Sequence, residues 1–233
     1  MKSIGAEESL TGKVVEAVHG AIISGELAPG SLYSVNALAE QLAVSRTPVR
    51  EAMIKLAAQG MVRFERSRGI RILQTSAQDL QEVFSLRLLL EVPAAARAAQ
   101  QFNAVNRREL RATYAAMLAA AEADDEPTMM SHDRRFHALL LEGAGSPRLT
   151  KIVDELRDTV LLRGITTSPV RSLPEIVQEH EPVLAYVETG DPEGAARAMR
   201  DHLLRTATML IAQESGAPET VAASFDWTSP THC

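Results

Sequence analysis

The stretch VSRTPVREAMIKLAAQGMV, residues 44–62, decides how the first third of the chain folds. Ser45 can cap a helix that runs to about Gln59. Pro48 sits in its first turn, where the N–H it lacks has no helical partner to lose. Gly60 ends the helix. Upstream, Ala43-Val44 links back to a short helix that carries Leu38, Ala39 and Leu42 and is capped by Ser34. Further upstream, a first helix spans about Thr11 to Ser24, with Val14, Ala17, Val18, Ala21 and Ile22 as its stripe. Gly25 is its stop and Pro29-Gly30 a turn. Downstream, MVRFE and GIRILQ read as two short strands around Arg66-Ser67-Arg68-Gly69. The order is helix, helix, turn, helix, β-hairpin, the plan of a winged helix-turn-helix.

Charge agrees with a nucleic-acid module here. The 233 residues carry a formal net charge of −6. Residues 1–75 hold 9 Lys/Arg against 7 Asp/Glu, whereas 76–233 hold 15 against 23. Within 46–71 there are 7 basic residues (Arg46, Arg50, Lys55, Arg63, Arg66, Arg68 and Arg71) against Glu51 and Glu65. A local excess of that kind inside an acidic chain suits a DNA-binding module on an acidic body. A solvated basic surface is the alternative on charge alone.

From Ser76 onward the periodicity is helical throughout. Segments 77–101, 105–123, 127–142, 147–164, 173–189 and 192–213 predict a bundle of about six helices joined by short loops. The expected fold class is therefore mainly α: a winged helix-turn-helix over 8–75, an all-α bundle over 76–214, and an irregular tail over 215–233. Phe225 and Trp227 are the expected anchors of that tail. No apolar run is long enough to span a membrane, and MKSIGAEESL lacks the core of a signal peptide. The one cysteine, Cys233, leaves no intrachain disulfide. A cytoplasmic protein is expected.

One stretch of the bundle breaks the apolar pattern. In SHDRRFHALLL, 131–141, Asp133 and His137 lie within about 60° of Met129, Met130, Phe136 and Leu140 on a helical wheel. A carboxylate on the greasy face needs a partner. His180, in PEIVQEHEPVLAYVE, faces inward with Ile176, Val177, Val183, Leu184 and Val187. His202 shares a face with Ala195, Ala198, Met199, Thr206 and Met209. Asp133, His137, His180 and His202 together have the donor types and number for one divalent metal per chain, Zn²⁺ first, with Ni²⁺, Mn²⁺ or Fe²⁺ as alternatives. A hydrogen-bonded polar core is the competing reading. Arg87 and Arg163 also face inward and could meet the carboxylate of a ligand, Arg87 with a salt bridge to Glu91 as its other role. Arg163 joins Leu149, Ile152, Leu156 and Val160 on its wheel. His132 and His19 read as surface or rim residues.

The paired motifs I-x-x-G-x-L-x-P-G at 22–30 and V-S-R-T-P-V-R-E-A at 44–52 resemble the GntR family of bacterial transcription regulators. Asp-x3-His, then Glu-His, then His-Leu resemble the FCD effector-binding domain of that family's FadR branch, over about 77–213. The helix count favours its VanR-like subgroup. The resemblance implies a regulator, not an enzyme, acting as a homodimer on near-palindromic double-stranded DNA, with a small organic acid as effector and repression as the usual sense. It implies guanine contacts from Arg46 and Arg50, which are four apart on one helix face. It further implies adjoining contacts from Ser45 and Thr47, and a wing tip at Arg68-Gly69 in the minor groove. Arg63 and Arg66 read as phosphate contacts or plain solvated charge, and Val35-Asn36-Ala37 leaves the second helix only weak contacts. The same resemblance matches Asp133, His137, His180 and His202 to metal ligands and places Arg87 near the effector. Pro182, two residues after His180, should kink that helix. A direct metal sensor and a non-haem metalloenzyme are the alternative functions.

Overall fold

The computed structural model describes residues 9–66, 68–73, 76–161, 166–168 and 170–216. It divides into two compact units, residues 1–75 with 158–165, and residues 76–157 with 166–233.

In the first unit, Ser9 caps α1 (Leu10–Ile23) by accepting from the Gly12 amide at 3.1 Å. Ser34 caps α2 (Val35–Gln41) in the same way, from Ala37 at 3.0 Å. A tight turn holding Ala43 at φ 52 leads to α3 (Arg46–Ala58). Ser45 is the N-cap residue of α3, but its hydroxyl makes no capping bond, which corrects the sequence expectation. Gly60, at φ 71, turns the chain out of α3. A strand absent from the sequence reading, β1 (Leu32–Tyr33), completes a three-stranded antiparallel sheet with β2 (Val62–Glu65) and β3 (Gly69–Ile72), in the order β1-β3-β2. Two residues are too few for a period-2 signal. Val14 and Val18 from α1, Leu38 from α2, Val49, Met53 and Leu56 from α3, and Ile70 and Ile72 from β3 form one core. Thr11 donates to Glu51 at 2.7 Å and ties α1 to α3.

The second unit is helical among its described residues. Its helices are α4 (Ala77–Gln101), α5 (Ala104–Glu122), α6 (Glu126–Gly143), α7 (Pro147–Leu161, of which residues 147–157 fall in this unit), α8 (Leu173–Gln178), α9 (Glu181–Thr189) and α10 (Pro192–Ser215). Ser76 and Asp79 form a reciprocal capping box on α4, and at the start of α8 the Ser172 amide and hydroxyl both donate to the Glu175 carboxylate, at 2.9 and 2.7 Å. Asp125 and Asp191 cap α6 and α10. α10 packs along α4, and α5 along α6. The segment expected as one helix over 173–189 is two. Pro182 has no N–H to continue the ladder, so α8 ends before Glu179-His180 and α9 restarts with Pro182 in its first turn. Seven helical segments thus replace the six on which the subgroup argument stood. None of the described helices is long and apolar enough to cross a membrane. The tail with Phe225 and Trp227 lies outside the described residues, as does Arg163.

Candidate metal centre and nucleic-acid interface

Four segments of the second unit send polar side chains to one buried place. α4 supplies Arg87 and Glu91, one turn apart; α6 supplies Asp133 and His137, also one turn apart. The α8–α9 break supplies Glu179 and His180, and α10 supplies His202. The imidazoles of His137, His180 and His202 converge, with one donor atom from each within 4.8 Å of the others. The His180 and His202 ring centroids are 4.3 Å apart, and His137 stands 5.4 Å from each.

The hydrogen bonds settle which nitrogens are available. His137 Nδ1–H donates to the Glu91 carboxylate, whose other oxygen accepts from Arg87 Nε at 2.7 Å. His180 Nδ1–H donates to the Val177 carbonyl at 3.2 Å. Both Nε2 atoms are buried without a hydrogen bond, and that of His180 turns a bare lone pair inward. His202 Nδ1 and Glu179 Oε2 are likewise buried and unsatisfied, 3.6 Å apart. Burial first, and the neighbouring His137 second, lower the His180 pKa to about 3. Burial and the His180 charge lower that of His202 too. These two rings are neutral at pH 7.

Asp133 bears directly on what fits between them. Its Oδ1 lies 2.9 Å from His180 Nε2 and 4.0 Å from His137 Nε2. An ionised carboxylate oxygen facing an imidazole lone pair is two acceptors in contact, which only a proton or a cation between them relieves. Two donor atoms bound to one ion at about 2.1 Å stand about 3.0 Å apart at adjacent octahedral corners and about 4.2 Å apart at opposite ones. The spacings of Asp133 match those limits. The three histidines can hold a metal, and the orientation of their Nδ1 atoms by a carboxylate and a carbonyl is the usual support for metal-bound histidine.

Sequence reasoning missed the partner that Asp133 already has. Arg157 of α7 donates to its Oδ2 and is itself buried. Arg157 follows Val153 by four residues and precedes Val160 by three, so the buried face of α7 is Val153, Arg157 and Val160. The face expected from Ile152 is rotated by about one residue: Ile152 is 48% exposed. Arg87 sits where expected, in its salt bridge with Glu91 and 4.9 Å from the Phe84 ring centroid. Glu91 stays ionised in spite of burial, because Arg87 and His137 hold its carboxyl well below the usual range. Glu179 was also missed. Burial opposes its charge, but His202 and Arg171 lower its pKa to about 2.

In the first unit, Ser45, Arg46, Thr47 and Arg50 are all exposed along the N-terminal end of α3, the end of a recognition helix that enters the major groove. Arg63, Arg66 and Arg68 are exposed on the β2–β3 hairpin. Arg71 is not part of that surface. It bonds the Glu65 carboxylate and the Gly30 carbonyl, at 2.5 Å for the latter, and so braces the wing. Gly69 is required by packing: at φ 127, a Cβ there would stand 2.3 Å from the Tyr33 carbonyl oxygen.

Residues 10–72 match the model of the bacterial regulatory proteins of the gntR family, and residues 82–205 that of the FCD domain. A probable D-xylose utilization operon transcriptional repressor of Paenarthrobacter nicotinovorans is 29% identical over 203 residues, 87% of this chain and 89% of the relative. An HTH-type transcriptional regulator of Agrobacterium vitis is 37% identical over 144 residues, 59% of this chain and 84% of the relative. Among solved structures, Escherichia coli McbR superposes with a TM-score of 0.65 at 23% identity, covering 89% of this chain and 99% of the other.

Proposed function

The chain belongs to the GntR family of bacterial regulatory proteins and carries an FCD domain, and from that membership we propose a repressor whose hold on DNA is set by a small organic acid at a divalent metal. It is a transcriptional regulator rather than an enzyme, as are the relatives matched over both domains. The finer reading is carried by one observation: Asp133 Oδ1 and the lone pair of the buried, neutral His180 ring face each other at 2.9 Å.

His137, His180, His202 and Asp133 would hold the metal, Zn²⁺ before Ni²⁺, Mn²⁺ or Fe²⁺. Once bound, it would supply a Lewis-acidic anchor for carboxylate and hydroxyl oxygens. Glu91 and Val177 orient two of the imidazoles, and Arg157 fixes the free oxygen of Asp133. Arg87 and Arg157 stand within the polar set as anion partners. Arg163, which sequence reasoning put forward for the same role, lies outside the described residues. Two copies paired through their FCD domains would set α3 of each on successive half-sites of a near-palindromic operator. There Arg46 and Arg50 would read guanines, Ser45 and Thr47 would flank them, and Arg68 with Gly69 would form the wing contact. Such a protein acts in the cytoplasm.

The test is a salt-matched shift assay with the chain's own upstream region, combined with light scattering of the full chain. A dimer is expected, with DNA binding that survives chelation but loses its response to organic acids. Loss of DNA binding on chelation alone would instead make the metal the signal.

A further inference from the structure

The solvent side of α4 is not the polar surface of a helix that faces water. Its buried side packs the interior of the second unit through Leu80, Phe84, Ala94 and Ala98. On the other side Leu89 is 70% exposed and Leu86 46%, and Pro93 is exposed one turn further on. These three are spaced by three and four residues, the seam along which two helices pack side by side. Half-buried Leu90 flanks them. Val105, Ile152, Val170 and Tyr186 are also exposed in this unit, but each stands on a different segment. Single exposed apolar side chains are ordinary, whereas a row of them marks a contact surface.

The charges at the ends of this row decide what fits it. Glu82 and Arg97 lie within about 60° of Leu86 on the helical wheel, as do Leu89, Leu90 and Pro93. Both charged residues are exposed, and neither has an oppositely charged partner among the described residues; Glu82 meets the Gln78 amide at 3.5 Å. Each lies about 11 Å along the axis from the midpoint between Leu89 and Leu90. Leu86 and Pro93 are likewise equidistant from that point. A second α4, antiparallel about a two-fold axis through the midpoint, therefore sets apolar side chains against apolar ones and acid against base at both ends. A parallel second helix would set acid against acid. A two-fold interface requires a patch that complements itself, because the same patch serves both copies. The seam spacing calls for a shallow crossing of about 20° with axes about 8–10 Å apart, which leaves the two charged side chains within reach of each other.

We infer that two copies of the chain join through this face of α4, antiparallel, with Glu82 of each copy against the partner's Arg97. This rests on the pairing of copies proposed above and adds to it the face, the direction and the ion pairs that fix the register.

The experiment is light scattering of the full chain over a dilution series, with circular dichroism to confirm the helical fold. The wild-type chain should be a dimer. Leu89→Asp puts a charge at the centre of the seam. Its side chain stands in solvent in the single chain, so the variant should keep its helical signal and become a monomer. Ile152→Asp, a charge at another exposed apolar position, should remain a dimer. Glu82→Arg and Arg97→Glu each turn two attractions into two repulsions, and each should raise the dimer dissociation constant about 10- to 100-fold. The double variant exchanges the charges and restores both pairs, so its constant should return to within about threefold of the wild-type value. If Leu89→Asp misfolds, the charge series still decides. Unchanged constants in both single charge variants overturn the inference while leaving pairing through another face of the FCD domain standing. A monomeric wild-type chain overturns both.

Discussion

His137→Ala separates a metal centre from a polar core held by hydrogen bonds alone. His137 is 1% exposed, donates from Nδ1 to Glu91, and turns Nε2 toward Asp133. Losing a hydrogen bond to a charged group removes about 1.5–3 kcal/mol. The lower part of that range applies, because Arg87 remains bonded to Glu91 at 2.7 Å. The ring also packs against Phe136, His180 and His202, and truncating a buried side chain of this size leaves a cavity worth a further kilocalorie or two, for a total of about 3–4 kcal/mol. At about 2–4 °C per kcal/mol for a unit of this length, the melting point of the chelated protein should fall by about 6–16 °C. A cation at a hundred times its Kd adds about 2.7 kcal/mol to a protein that binds it only when folded. Melts of wild type and variant, each with chelator and with saturating Zn²⁺, separate the two contributions. Zn²⁺ should raise the wild-type midpoint and leave the variant unchanged. DNA binding should largely persist, since the first unit has its own core. If both proteins melt alike in chelator and gain equally from Zn²⁺, His137 is neither a ligand nor a structural anchor, and the reasoning fails.

Arg46→Ala and Arg50→Ala should each weaken specific DNA binding by about 1–3 kcal/mol and non-specific binding far less, read in a salt-matched shift assay. Gly69→Ala should lower the melting point of the first unit and weaken all DNA binding, at a cost of about 2–4 kcal/mol, because its Cβ meets the Tyr33 carbonyl in a left-handed backbone; unchanged melting would remove the packing argument. The pH dependence follows from histidines held neutral by burial. His180 and His202 have lower pKa values folded than unfolded, so the unfolded chain binds more protons and stability falls as pH drops below about 6.5. Two such groups give a slope of up to about 2.7 kcal/mol per pH unit in chelated protein, measured by denaturant titration from pH 7.5 to about 5. Glu179, lowered to about 2, adds its loss only below about pH 4.5.

Much of the centre was legible because helical periodicity reports burial without knowledge of what lies opposite. The wheel put Asp133, His137, His180 and His202 on inward faces, and all four are buried. Arg157 was not found, because the phase of α7 was read from Leu149, Ile152 and Leu156, whereas packing buries Val153 and leaves Ile152 in solvent. One residue of phase is about 100°, enough to turn an arginine from surface to interior. Glu91 was read only as the neighbour of Arg87 along its own helix. Its bond to His137 joins residues 46 apart, which spacing within one helix cannot indicate.

The sequence by itself determined the order of most elements, the winged helix-turn-helix plan, a disturbance of the helix at Pro182 and the inward direction of the histidines. Each of these depends on local chemistry: caps, a missing N–H, or the period of apolar side chains. Only the tertiary structure decided that β1 joins the sheet, that Arg71 braces the wing instead of facing outward, and that Arg157 rather than a metal alone meets Asp133. The reason is physical. A buried charge must be matched by whatever side chain packing brings within about 3 Å, and that neighbour is set by how helices lie against one another, not by the order of residues along any one of them.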